Sequence, residues 1–382
     1  MRGKRRNRDW TRRVSLVAIT ALAMLVSLAV AQAAGDTVSE EVTFANGNVT
    51  ISGTMTLPAS KGPHPAVILI GGSGPQDRDG AMRMIPGYRP FALIAEHLTR
   101  NGFAVLRYDE RGVGRSTGNY GAATEPDFIK DAEAAFQFLL SRKDIAAEQV
   151  GVLGHSEGAM IAAIVAGKDP KVAFVISLGG GAVDGCSLLL RQAKQQAEAA
   201  GMSKEEVEEV LQEQRRIFDL VLAQKWEELR ATVEEATVSR LKALPKERTA
   251  ALGDLNAVAG MKAAGSVRTF QHPRYQFLLR HDFGADWGNV SVPVLALFGE
   301  LDVQCNAAQN EAALKQALSR GGNGDVTVVV IPAANHLFTK ARTGSMSEYA
   351  TLPKELAPGV LESISSWLHQ LNGCAGGTSA RE

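Results

Sequence analysis

The segment Gly154-His155-Ser156-Glu157-Gly158 sets a serine between two glycines in the spacing G-x-S-x-G. An apolar run, residues 150–153, precedes it, and another, residues 159–166, follows it. A serine on a sharp turn between a strand and a helix is a nucleophile elbow. The turn strains the backbone, lifts the hydroxyl clear of the chain and tolerates only small neighbours. The helix that starts there presents its amino end, which favours developing negative charge. The spacing alone arises by chance and would suit a plain structural turn. The strand and helix patterns on either side are what assign Ser156 as a nucleophile.

A serine hydroxyl attacks only when a base takes its proton. The chain has seven histidines. His64 precedes the first continuous apolar run, and His97 and His369 fall on helical patterns. His155 adjoins Ser156 on the turn, so its side chain points elsewhere. His272 and His281 lie in a long charged stretch. His336 remains, in a loop after the apolar run 326–331, and is expected to be the general base. Asp302 follows the run 293–298 and is expected to orient His336. Glu300 competes in the same loop but stands nearer the strand end, and Asp184 competes from an earlier strand end. An oxyanion needs two donors. The backbone N–H of Glu157 is one, and Ser73, within Gly71-Gly72-Ser73-Gly74-Pro75, is the candidate for the other. That glycine loop would also suit a phosphate, but it lacks the Lys-Ser/Thr ending of a P-loop and the full dinucleotide spacing.

All these residues follow apolar runs, so strands must deliver them to one edge. Residues 41–57 alternate around Asn46-Gly47, which predicts a β-hairpin. Continuous apolar runs predict buried strands at 66–70, 103–106, 150–153, 172–178, 293–298 and 326–331. Helical spacing appears at 91–100, 127–142, 159–166 and 361–371. The alternation predicts an α/β fold, with a mostly parallel central sheet and helices on both faces. Residues 184–287 break it. They are rich in Glu, Lys, Arg, Gln and Ala and show no strand pattern. Ser203-Lys204-Glu205-Glu206 opens a helix with a capping box, and Pro245 and Gly260 punctuate others. No heptad is sustained, so the expectation is a helical cap between core strands rather than a coiled coil.

Three stretches together resemble the α/β-hydrolase superfamily, and within it the bacterial carboxylesterases of the EstD type, related to serine aminopeptidases and monoacylglycerol lipases. Residues 71–80, Gly-Gly-Ser-Gly-Pro-Gln-Asp-Arg-Asp-Gly, look like that group's oxyanion loop. Asp109-Glu110-Arg111-Gly112-Val113-Gly114-Arg115-Ser116 resembles its D-x-R-G-x-G-x-S segment, read as structural. The third stretch is the elbow. The likeness spans roughly residues 38–371 and is vague in the insertion, where residues 272–278 only partly echo an aromatic motif. It implies an α/β-hydrolase core at 34–183 and 288–373, a cap at 184–287 and a short tail at 374–382. It also implies that Asp302 and His336 complete a triad with Ser156. The expected activity is hydrolysis of a small-molecule carboxylic ester, with no metal or organic cofactor. A peptidase or thioesterase using the same triad is the close rival, and a non-catalytic binding protein on the same scaffold the distant one.

Composition narrows the partners. The 382 residues carry 41 basic and 41 acidic side chains, 45% apolar and only 6% aromatic residues. Such balance excludes a disordered chain and gives nucleic acid no basic patch to meet. Three widely spaced cysteines, Cys186, Cys305 and Cys374, match neither a disulfide scaffold nor a zinc pattern. Residues 1–33 differ in kind: seven basic residues, an uncharged apolar run and an Ala31-Gln32-Ala33 ending. This is the layout of an export signal cleaved after Ala33, and Arg12-Arg13 leaves the twin-arginine route open. The competing reading is an uncleaved membrane anchor. Cleavage would leave 34 basic against 40 acidic residues, so the apparent neutrality is the sum of a basic leader and a mildly acidic protein. A cleaved chain is expected in the periplasm or medium, without stable membrane insertion.

Overall fold

The computed structural model describes residues 37–82 and 85–376, with side chains through 372. The expected leader, residues 1–33, lies outside them, as do residues 377–382 and the side chain of Cys374. Eight strands form one sheet: β1 (Thr37–Asn46), β2 (Val49–Pro58), β3 (His64–Ile70), β4 (Ala104–Tyr108), β5 (Ile145–His155), β6 (Val175–Leu178), β7 (Val294–Gly299) and β8 (Val326–Ile331), in the order β1-β2-β4-β3-β5-β6-β7-β8. The β1–β2 hairpin turns at Asn46 and pairs antiparallel with β4; every later pairing is parallel. The sheet is therefore mostly parallel.

Period-two alternation decides what each face buries. Along β3, Ala66, Ile68 and Ile70 join one apolar cluster, with Phe128 and Phe136 of α2 (Glu125–Leu140) and Ile161 of α3 (Glu157–Lys168). Val67 and Leu69 face the opposite cluster, with Ile94 of α1 (Pro90–Arg100) and Ile364 and Leu368 of α12 (Val360–Gly376). Helix α3 is apolar all round and buried from Glu157 to Ala166. Such a helix belongs in a protein's centre.

Between β6 and β7 the chain forms α4 (Gly185–Ala199), α5 (Lys204–Leu222), α6 (Trp226–Lys242), α7 (Lys246–Leu252), α8 (Leu255–Gln271), α9 (Pro273–Arg280) and α10 (Phe283–Gly288). The capping box at Ser203 and Glu206 is formed, with Ser203 N–H donating to Glu206 at 2.7 Å. Two details differ from the sequence reading. Gly260 lies inside α8 rather than at a break. It is half-buried beside Ala259 and Ala263, both fully buried, and a Cβ there would meet only the end of the Glu234 side chain at 3.8 Å, so the helix runs through it without strain. Trp287, expected at the end of the cap, instead joins the main core, fully buried, with its indole N–H donating to Gly181 O at 2.9 Å. Core packing thus resumes at α10. Helix α11 (Ala307–Arg320) joins β7 to β8.

The crossing of α3 over β3 is a tight constraint near the predicted nucleophile. A Cβ on Gly158 would stand 2.2 Å from Ile70 O and 2.4 Å from Gly71 O. Both obstacles are backbone and cannot rotate away. Gly158→Ala is expected to lower stability by about 1–3 kcal/mol or more, the usual range for overpacking. Thermal unfolding checks this, and an unchanged midpoint would contradict it.

Candidate active site

Ser156 has φ 55° and ψ −119°, a region that L-residues avoid and that persists only where the surroundings enforce it. The enforcement is visible. Its N–H donates to Leu178 O at 2.8 Å, tying it to the end of β6. A Cβ on Gly154 would fall 2.1 Å from Gly158 O, so β5 and α3 meet with no room for a side chain. The Ser156 side chain is left at the carboxyl edge of the sheet.

The structure brings three of the sequence-selected residues into one row. His336 Nε2 lies 3.0 Å from Ser156 Oγ, and His336 Nδ1 lies 2.8 Å from Asp302 Oδ2. The other carboxylate oxygen of Asp302 accepts the N–H groups of Gln304 and Cys305, each at 2.8 Å. Asp302 and His336 are 2% and 3% exposed, so water does not compete for these bonds. The His336 loop is held by buried Asn335, whose Oδ1 accepts the N–H groups of Leu337 and Thr339 at 3.0 and 3.1 Å. Gly299 lets that loop approach, since a Cβ there would stand 2.5 Å from Ala334 O. The rejected acids are engaged elsewhere. Glu300 accepts from Ala333 N–H at 2.8 Å, and Asp184 caps α4 through Ser187 N–H.

Ser73 and Glu157 line the same cavity as Ser156 and His336. Neither backbone N–H is donated to another protein group among the described residues. The glycine loop presses on the elbow, where a Cβ on Gly72 would stand 3.1 Å from Ser156 Cβ. The loop is braced from below. Arg78 binds Asp109 through its backbone N–H at 2.9 Å and its Nη2 at 2.7 Å. Ser116 Oγ donates to Asp109 O at 2.7 Å. Asp109 and Ser116 belong to the D-x-R-G-x-G-x-S stretch, so in the structure that segment ties the loop to β4.

Comparison with known proteins joins the geometry here. Over 330 residues the chain is 27% identical to Esterase EstD of Thermotoga maritima, covering 85% of this chain and 68% of that protein. It is 26% identical over 132 residues to the putative hydrolase YtaP of Bacillus subtilis, covering 31% and 44% of the two chains. The family described as serine aminopeptidase, S33, matches residues 83–205. Among solved structures, an esterase of Pyrococcus furiosus superposes with a TM-score of 0.50 at 14% identity, covering 88% of this chain and 91% of that one. DcsB in complex with its substrate analogue gives 0.51 at 15% identity, covering 87% and 99%. The chain has the α/β-hydrolase fold.

The hydrolase encloses a cavity of about 560 Å³ at the Ser156 edge. Its apolar wall comes from the core through Met160 and Leu337 and from the cap through Leu188, Leu189 and Leu278. Sequence reasoning passed over two contributors. His155 points away from the nucleophile, as expected, but its Nε2–H donates to His336 O at 2.9 Å and so supports the base. Burial, with the positive potential of His336 added, pushes its pKa down to about 4, so it stays neutral. Glu110 lies beneath the oxyanion loop, accepting Gln76 N–H at 2.9 Å. Burial pushes its carboxyl up to about 8. No local pattern marks either role, because both contacts cross long stretches of sequence.

A carboxyl raised from its ordinary value of 4.5 to about 8 favours the protonated fold. The stability this proton brings is complete below the ordinary value and is lost as pH rises through about 8. The melting midpoint of the hydrolase is expected to fall between about pH 5 and about pH 8, and Glu110→Gln to flatten that fall. An unaltered slope in the variant would contradict the burial argument.

Proposed function

We propose that this hydrolase cleaves carboxylic esters through an acyl-enzyme on Ser156. His336 takes the Ser156 proton as the hydroxyl attacks the carbonyl carbon. Asp302 holds the imidazole with Nδ1 protonated and stabilises the imidazolium that forms. The N–H groups of Ser73 and Glu157 receive the oxyanion, each such donor contributing about 3 kcal/mol in the transition state. The imidazolium then protonates the departing alcohol. Water, deprotonated by His336, releases the acid and restores the serine.

The observation that carries this reading is the row Ser156 Oγ, His336 Nε2 and Nδ1, Asp302 Oδ2, with bonds of 3.0 and 2.8 Å. Support for an ester comes from the likeness to Esterase EstD over most of the chain. The apolar cavity suits an apolar substrate half, since binding cavities of this size are mostly apolar with a few placed polar groups. The match to the serine aminopeptidase family favours a second reading, hydrolysis of an aminoacyl amide by the same triad.

Ser156→Ala is expected to reduce p-nitrophenyl ester turnover by a factor of about 10³ or more, since it removes the nucleophile while the fold remains. Turnover above about a tenth of the parent's would sink the assignment. In the same assay, acyl esters of increasing chain length should outpace aminoacyl amides, and the reverse order would favour the peptidase reading.

We also propose that the chain is exported and cleaved after Ala33, on the strength of the basic start, the apolar run and the Ala31-Gln32-Ala33 ending. Expressed with its leader in a bacterial host, the mature protein should begin at Ala34 by amino-terminal sequencing. A chain retaining residues 1–33 in the membrane fraction would replace export by anchoring.

A further inference from the structure

Arg274 opens α9 in the cap and reaches down to the nucleophile elbow. Its Nε donates to Glu157 Oε1 at 3.2 Å and its Nη2 to Glu157 Oε2, a two-pronged pair. Its Nη1 donates to Tyr120 Oη at 2.5 Å, and Glu125 Oε2 lies 3.4 Å from its Nε. The guanidinium packs over the Phe128 ring, 4.3 Å from its centroid. Only 18% of the Arg274 side chain, 9% of Glu157 and 4% of Glu125 are exposed. Just ahead of α9, His272 Nδ1 accepts Arg274 N–H at 3.3 Å, and the same ring's Nε2 lies 3.0 Å from Gly121 O. The arginine is thus held at both ends.

Glu157 is the first residue of α3, and its backbone N–H is one of the two donors assigned to the oxyanion. Fixing its carboxylate fixes the turn that carries that N–H. We infer that Arg274 is a positioning residue for the oxyanion hole, so that docking of the cap and alignment of the hole are one event. This rests on the triad reading above. Arg274 does not line the cavity that holds Ser156 and His336, although it lines an adjoining one that shares Ser73, Glu157 and Leu278 with it, so for a substrate held in the first cavity its loss should act on the chemical step rather than on binding. An oxyanion donor gains most of its strength in the transition state, and an error of a few tenths of an ångström weakens it. Without Arg274, the Glu157 carboxylate would also lose its two-pronged partner and be left buried and unpaired.

The test uses the full chain and four proteins: the parent, Arg274→Met, Glu157→Ala and the double variant. Each is titrated to completion with a fluorophosphonate, so that kcat is expressed per competent Ser156. A purely structural latch would lower the melting midpoint and the competent fraction but leave kcat per site unchanged. The inference expects each single variant to lose at least about fivefold in kcat per site with KM moving less than about threefold. It expects the double variant to lose no more than the worse single, because both remove one interaction. A smaller loss, a change carried mainly by KM, or losses that multiply in the double variant would each overturn it. Should Arg274→Met not fold, Glu157→Ala alone decides by the same thresholds. If the parent does not titrate at Ser156, the triad reading fails first. If it titrates and the variants turn over like it, only the role of Arg274 fails.

Discussion

Everything in the site hangs on a single residue held in a backbone conformation it would not choose. Ser156 sits at φ 55° where β5 must turn at once into α3. That turn is possible because the residues two before and two after Ser156 carry no Cβ. A Cβ on Gly154 would strike the backbone of Gly158, and one on Gly158 the end of β3. The strain, of order 1–3 kcal/mol, is carried by a helix buried on all sides and by the hydrogen bond to Leu178 O. What the strain secures is placement. The hydroxyl stands out from the sheet edge while the first N–H groups of α3 stay free beside it.

Given that point, the other parts must converge on it from separate strand ends. Parallel pairing makes this possible, since β3, β5, β7 and β8 all end at the same edge. The loops then compete for one small volume. Backbone clearance at Gly299, and the left-handed Gly179, whose Cβ would approach Asp302 and His336 within 3.4 Å, let them share it. Asp302 is held in place there by three hydrogen bonds to its two oxygens. The Asp302 and His336 loops are fixed by bonds within the core, whereas the elbow is also tied to the cap through Glu157 and Arg274.

What could be read from the sequence follows the range of the interactions. The elbow is local: five residues between two apolar runs. His336 and Asp302 are legible because each is a residue of the right type just after a strand, which is topology rather than contact. The strands themselves are legible because parallel strands buried on both faces are continuous apolar runs. The limits of the cap are less so. Trp287 reads as the end of a helical stretch, and only the packing shows that it belongs to the core. Gly260 reads as a break, yet sits inside a helix. The pairing of Arg274 with Glu157 spans 117 residues, and no spacing rule reaches that far.

The charge balance around the elbow explains why three glutamates can lie so near a developing oxyanion. Ionised, Glu110, Glu125 and Glu157 would oppose it. Burial raises Glu110 and Glu125 to about 8, with the neighbouring Glu157 charge adding to the effect, so near neutral pH both are mainly uncharged. The third carboxyl lies against Arg274, whose protonated form is reinforced by the same acids. Little net charge is then left near the hole, and the field there is set by the free N–H groups at the start of α3. A lone buried carboxylate in this place would cancel that field. The cation that prevents it is supplied by the cap, so under the proposed mechanism the insertion would take part in the electrostatics of the reaction as well as shape the cavity.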